Sequence, residues 1–431
     1  MEQNLNQNPV PIQPQPSNKF PTWAIVLISV LVTGIAVASG TYYFLNRDKN
    51  LTNNQPQPTS QQTESPLPSN TKNGNQVSDG FVYMKSLTDS PHGQADIIVS
   101  NFDGSTRSKI QTVPKYVGPL DDNDVSETGK IVYSTFSDTG ESILVSDKGA
   151  TPRNILILPQ GKSVESTKIS PDGQKIVYSL LNWGNNNFTE QLWVMNADGA
   201  DNKMIIDDTG RYIVEQGPFR LAPLAWSKDK TKVYMITTTD SEATPRGMYV
   251  ADLATAKIQK AKTPNVTLWG LSFSPDRTKI AYTTFEWKDV PDSFPEAEAP
   301  FTISVTDLNT GATEKILESQ ADQYSDPVWS PDGKKIMYKI AREFVEGGDA
   351  AILVVDASTK KTSVVVQSTK NTRMGPWAWL SNDRVIYTEE SYTTGQIQNK
   401  VTTYLFTIKI DGTNKQSIDS ARDMIVFDSL K

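Results

Sequence analysis

The chain has 431 residues, a formal net charge of −7, 37% hydrophobic residues, no cysteine and a single histidine, His92. That inventory excludes a disulfide framework, a thiolate nucleophile and a Cys/His zinc site, and it leaves a serine triad only His92 as base. The negative charge falls almost wholly after residue 79 and no basic patch accompanies it, so nucleic acid is not an expected partner.

Residues 1–20, with the run QNPVPIQPQPSNKF, are too polar and proline-rich to bury a core and read as a disordered tail. Residues 21–45 read as a transmembrane helix. From Trp23 to Leu45 the chain carries no charge, and at about 1.5 Å per residue that run spans a hydrocarbon core of about 30 Å. Trp23, Tyr42 and Tyr43 sit where interfacial aromatics belong, with Arg47 and Lys49 just beyond. A cleaved signal peptide is the competing reading, since Ala36-Val37-Ala38 resembles a small-residue cleavage site; the apolar run continues through Phe44-Leu45, which favours the anchor.

Residues 46–79, rich in Pro, Gln, Asn, Ser and Thr, read as an extended tether. Orientation is pulled two ways. Lys19 before the helix against Arg47 and Lys49 after it leans towards a cytoplasmic domain, whereas a long tether and the absence of cysteine suit a domain held outside the membrane. The expectation is a single-pass cell-membrane protein with its bulk extracytoplasmic.

From residue 80 onward one phrase recurs. Ser170-Pro171-Asp172-Gly173-Gln174-Lys175-Ile176-Val177-Tyr178 returns as Ser274-Pro275-Asp276-Arg277-Thr278-Lys279-Ile280-Ala281-Tyr282 and as Ser330-Pro331-Asp332-Gly333-Lys334-Lys335-Ile336-Met337-Tyr338. Weaker copies begin at Glu127, Ser227 and Ser381, and Phe81-Val82-Tyr83 supplies a strand without its turn. Pro presets φ, Asp bonds backbone amides, Gly takes positive φ and Lys-Ile-Val-Tyr alternates as a strand, so the phrase is a hairpin and not a catalytic motif. A second phrase follows each first one, as in Leu192-Trp193-Val194-Met195-Asn196-Ala197-Asp198-Gly199 and Ile303-Ser304-Val305-Thr306-Asp307. Each repeat of about 50 residues thus holds four antiparallel strands, which is one propeller blade.

These paired phrases resemble the repeats of TolB and of prolyl-oligopeptidase-type propellers, over residues 80–431. The resemblance implies an all-β, seven-bladed propeller of four-stranded blades. The first copy lacks an innermost strand and the C-terminus offers a spare one, Met424-Ile425-Val426-Phe427, so the two ends are expected to share a blade and leave no free sheet edge. The TolB family also implies a protein-binding role. TolB itself is soluble, with an additional α/β domain and a smaller ring, so its particular partners are not carried over.

Both short turns of each repeat fall on one face of such a ring, and the longer, variable connections fall on the other, where function is expected. The candidate ligand-binding residues are Trp183, Arg220, Trp287, Arg342 and Tyr392. Exposed Trp rings stack on sugars or anchor peptides, and Arg binds carboxylates; against this, loop self-packing outweighs the binding role for each Trp taken singly, and surface pairing outweighs it for each Arg. Trp226, Trp329 and Trp379 precede the turn phrase and read as blade-packing core. The acidic stretch with Glu286, Asp289, Asp292, Glu296 and Glu298 lacks calcium-loop spacing and reads as solvated, so no metal or other cofactor is expected.

No G-x-S-x-G and no α/β-hydrolase pattern accompanies the propeller. The reading is therefore a membrane-anchored binding module for a protein, peptide or glycan, monomeric in its soluble part and without catalysis. The alternatives are a stand-alone propeller enzyme, such as a lactonase or polysaccharide lyase, and a scaffold facing the cytosol. A convergent set of charged residues with perturbed pKa at the central channel would mark the enzyme.

Overall fold

The computed structural model describes residues 80–88, 94–113, 123–137, 140–148, 150–184, 187–207, 219–239, 248–264, 266, 268–285, 300–320, 322–341, 350–368, 372–391, 402–421 and 424–430. The expected tail, membrane span and tether all lie outside these. Among the described residues no helix is long and apolar enough to cross a membrane.

The strands follow the sequence period. Blade one contains β1 (Gly80–Ser86), β2 (Ala95–Asn101) and β3 (Arg107–Val113); blade two contains β4 (Asn123–Val125), β5 (Lys130–Ser137), β6 (Gly140–Asp147) and β7 (Arg153–Ile157). Blade three has β8 (Lys162–Ile169), β9 (Lys175–Gly184), β10 (Asn187–Asn196) and β11 (Lys203–Asp207); blade four has β12 (Phe219–Trp226), β13 (Lys232–Thr239), β14 (Met248–Asp252) and β15 (Lys257–Lys260). Blade five has β16 (Trp269–Phe273), β17 (Lys279–Thr284), β18 (Phe301–Asp307) and β19 (Thr313–Ser319). Blade six has β20 (Gln323–Trp329), β21 (Lys335–Ala341), β22 (Ala350–Asp356) and β23 (Thr362–Gln367); blade seven has β24 (Thr372–Ser381), β25 (Arg384–Ser391), β26 (Thr402–Lys409) and β27 (Gln416–Ala421). The last strand, β28 (Met424–Leu430), returns to pair antiparallel with β1, so the first sheet runs β28-β1-β2-β3. This is the closure expected from the spare C-terminal strand.

The apolar core is divided among seven blade interfaces. One cluster joins Val82 and Ile97 of blade one to Ile131 and Tyr133 of blade two, and the next joins Ile143 to Ile176 and Met195 of blade three. The series continues through Val177 with Trp226, Tyr282 with Met248, Ile303 with Ile336, and Ile352 with Trp379. It ends where Phe81 and Tyr83 of blade one meet Leu380, Ile386 and Ile418 of blade seven. Each fully buried Ile, Leu or Phe contributes about 1.5–3 kcal/mol relative to exposure, so each blade draws stabilisation from both neighbours. The closing interface adds a charged contact: Asp419 of β27 accepts from Tyr83 Oη at 2.8 Å and from Lys85 Nζ at 2.6 Å, with Arg107 Nη1 at 3.4 Å.

Trp226 and Trp379 are core residues, as the sequence indicates. Each buries its ring and donates Nε1–H to a backbone carbonyl of the preceding blade's inner strand, Lys168 O at 2.9 Å and Val328 O at 3.0 Å. Trp329 is buried at the same register.

Candidate binding face and channel mouth

The turn face is built on serines, four of them, Ser170, Ser227, Ser274 and Ser330, buried. Ser170 Oγ donates to Asp172 Oδ1 at 2.7 Å and accepts the Lys175 amide at 2.9 Å, and Ser227, Ser274, Ser330 and Ser381 each donate to the Asp two residues on at 2.6 Å. Within a blade the two turns are tied together. Ala197 N–H donates to Gln174 O at 2.8 Å, Leu308 N–H to Thr278 O at 2.8 Å, Ala357 N–H to Lys334 O at 2.9 Å and Ile410 N–H to Asp383 O at 2.9 Å. Both turn types therefore share one face. Between blades the chain of contacts continues, with Glu127 N–H on Pro171 O at 3.0 Å, Lys230 Nζ on Asp172 Oδ2 at 2.7 Å and Asp332 N–H on Asn382 Oδ1 at 3.0 Å.

These contacts set the charge state of the turn carboxylates. Burial opposes ionisation of Asp172, but Lys230, the Ser170 hydroxyl and the Gln174 amide outweigh it and hold its pKa below the ordinary value. In the outer turns the Thr359 amide, followed by the Ser358 and Thr359 hydroxyls, lowers Asp356 to about 2. The polar groups of this face serve the ring itself.

The opposite face carries the connections that vary. Between the second and third strands they are as short as 138–139 and 185–186 and as long as 285–300. Trp183 lies near the end of β9 with its backbone opposite Phe188, and Arg220 lies in β12 opposite Thr238. The structure thus brings both to strand ends on the variable face, with their side chains outside what is described; Trp287, Arg342, Tyr392, His92 and the acidic stretch 286–298 lie outside the described residues altogether. Among the described residues no group of three or more His, Cys, Asp or Glu is placed to hold a metal.

Two features of this end were missed by sequence reasoning. In six blades the inner strand bulges at or next to the register of the repeat tyrosine, inserting Phe427, Glu165, Leu224, Gly270-Leu271, Asp326-Pro327 and Trp377. Bulges re-aim side chains and recur at barrel rims and sites. Their signal was Pro223, Pro327 and Pro376, since proline inside a strand marks an edge or a bulge. The second feature is a pair of carboxyls at one register of consecutive blades. Glu141, 5% exposed, accepts the Val164 amide at 2.9 Å, and burial pushes its pKa up to about 7 against hydrogen bonds from Val164 N–H and the Ser134 hydroxyl. Glu190, fully buried, stands at the same place in β10. Each lies three residues before the residue opposite the repeat tyrosine; Phe301, Ala350 and Thr403 fill that position elsewhere.

The position of Glu141 between blades two and three accounts for its raised pKa by packing, with no charged neighbour contributing.

No family model matches the chain, and no curated protein matches it. Among solved structures it is similar to TolB from Acinetobacter baumannii, at 14% identity over 80% of this chain and 83% of that one, with a TM-score of 0.43. It is similar to an oligogalacturonate lyase from Vibrio parahaemolyticus, at 12% identity over 68% of this chain and 80% of that one, with a TM-score of 0.50. An oligogalacturonate lyase in complex with manganese gives 12% identity over 75% and 85%, also at 0.50. These identities speak to fold alone. The class is a seven-bladed β-propeller of four-stranded blades, closed by its own C-terminal strand.

Proposed function

We propose that the chain is a membrane-anchored, extracytoplasmic binding module that engages a protein, peptide or glycan through the variable face of its propeller. The observation that carries this reading is the asymmetry of the ring. On one face the repeats that carry the turn phrase share the same hydrogen-bonded turns, tied between blades two and three, three and four, and six and seven, whereas the connections at the other face differ in length, with Trp183 and Arg220 at the strand ends beside them and Trp287, Arg342 and Tyr392 in the connecting sequence. Loops on a rigid scaffold are where recognition is placed. The uncharged run from Trp23 to Leu45 and the polar tether after it supply the anchor and the reach.

The test has two arms. Protease added to intact spheroplasts is expected to release the propeller by cutting within 46–79; protection until the membrane is permeabilised would move the domain to the cytosolic side. Alanine at the five residues is expected to weaken retention of solubilised envelope components by the immobilised full chain, with loss of about 2 kcal/mol at a true anchor, and to leave Tm unchanged. Lowered Tm with retention intact would make them packing residues.

A further inference from the structure

Among the described residues eight non-glycine positions have positive φ, and seven of them, from Lys148 to Asn414, lie in the turn-face loops. The eighth, Asp326 at φ 52°, lies inside a strand, the inner strand β20. Across the blade interface Gly270 of β16, at φ 55°, faces it so closely that a Cβ there would stand 2.8 Å from Asp326 N and 2.9 Å from its Cα. The single-residue bulges at Glu165 and Leu224 lack a positive φ, whereas the two-residue bulges at Gly270-Leu271 and Asp326-Pro327 both carry one, and in the second of these the residue is not glycine. Strain of this kind inside a strand persists where the surroundings enforce it, and it clusters at ligand sites.

The strained pair is flanked by a compact polar group on blade six and by an aromatic group on blade five. The Asp326 side chain is 47% exposed, accepts the Ser325 hydroxyl at 3.0 Å and stands 3.1 Å from Lys339 Nζ. Trp269, the residue before Gly270, opens β16 at its variable-face end; it is half-buried and stacks on Phe285 with ring centroids 5.4 Å apart and planes at 18°. Phe285 in turn packs on Phe301 at 5.0 Å. A ladder of three rings therefore packs the indole at the variable-face end of blade five, one residue from the Gly270 backbone that approaches Asp326 of blade six.

We infer that Trp269, Asp326 and Lys339 form a subsite for a neutral polyhydroxylated ring, one sugar unit of a glycan. This names the ligand class of the binding module proposed above and rests on that reading. The carboxylate accepts hydroxyl hydrogens, the ammonium donates to hydroxyl oxygens, and the indole offers an apolar face to the C–H face of the ring. Because Lys339 balances Asp326, an ion of either sign meets no net charge here, whereas hydroxyls, which both donate and accept, satisfy both groups.

The test uses the full chain in detergent and titrates soluble cello-, xylo-, malto- and chito-oligosaccharides by calorimetry and by tryptophan fluorescence. Binding of at least one series is expected, weakened ten-fold or more by Asp326→Asn and by Trp269→Ala. Asp326→Gly is expected to remove binding while Tm holds or rises, because glycine adopts positive φ without cost. A wild-type chain that binds none of the four series, or Asp326→Asn and Trp269→Ala chains that bind as wild type does, would overturn the inference. If alanine at Trp183, Arg220, Trp287, Arg342 and Tyr392 abolishes retention of envelope components while Asp326→Asn and Trp269→Ala leave it intact, the binding-module reading stands and this subsite falls.

Discussion

The two ends of the blades are made from the same strands and differ in almost everything else. At the turn end Ser170, Ser227, Ser274 and Ser330 are buried, the aspartate two residues after each is engaged by that hydroxyl and by a backbone amide, and turns of neighbouring blades touch. At the other end the inner strands leave the regular ladder through bulges, two of them with left-handed residues facing each other across blades five and six. Repetition of sequence at one end therefore reports a shared structural duty, and loss of repetition at the other reports that each blade has been released from it.

The seam between blades one and seven offers the harshest way to break the comparison, because both ends depend on the ring being closed. Removal of residues 421–431 deletes β28, strips Met424 and Val426 from the closing cluster and leaves β1 as a free edge. Loss of cooperative unfolding and association into larger species by size-exclusion chromatography are expected. A truncated chain that melts as sharply as the intact one would show that the closure is dispensable.

Next in size is the turn face itself. A Cβ on Gly173 would lie 2.7 Å from Thr128 Oγ1 of the preceding blade, at φ 68°, so Gly173→Val is expected to cost about 2–4 kcal/mol in denaturant unfolding. Gly333 has the same φ, 67°, but its nearest neighbour is Pro275 Cδ at 3.6 Å, and Lys230 and Arg277 occupy the equivalent position at φ 63° and 59°. Gly333→Lys should therefore cost only about 1 kcal/mol. Equal losses would mean that the turns do not bear on one another.

Acid and base act on the two ends with opposite sign. The turn aspartates, Asp307, Asp356 and Asp411 among them, have folded pKa values below the ordinary one, lowered first by bonds from Thr310, Thr359 and Thr413. Their stabilisation is present above the unfolded value near 4 and is lost as pH falls through the folded values, to about 2 for Asp356. Glu141, raised by burial to about 7, contributes stability that is complete below the unfolded value near 4.5 and is lost as pH rises towards 7, on the order of 3 kcal/mol. Stability measured by urea unfolding should peak near pH 4–5. Glu141→Gln should flatten the upper limb alone; an unchanged upper limb would remove Glu141 as its cause.

Much of this architecture was legible because the turn phrase is chemical. Ser-Pro-Asp-Gly names a turn, Lys-Ile-Val-Tyr names the strand after it, and the spare Met424-Ile425-Val426-Phe427 names the closure, which the pairing of β28 with β1 bears out. The bulges were not legible as a set, since Glu165 and Leu224 differ in every property and share only a register that strand pairing reveals. Trp269 and Asp326 were passed over for the same reason. They lie 57 residues apart in sequence, on neighbouring inner strands that Gly270 lets approach. Trp183 and Arg220, expected in the variable connections, lie instead within β9 and β12 near their ends at that face.

The division of labour between the two faces is tested most directly by site-specific photo-crosslinking in the native membrane. A photoreactive amino acid is placed singly at Trp183, Arg220, Trp287, Arg342 and Tyr392 on one face, and at Asp172, Lys334 and Asp383 on the other. Adducts from the first set and none from the second are the predicted result; adducts from the turn face, or equal labelling from both faces, would contradict it.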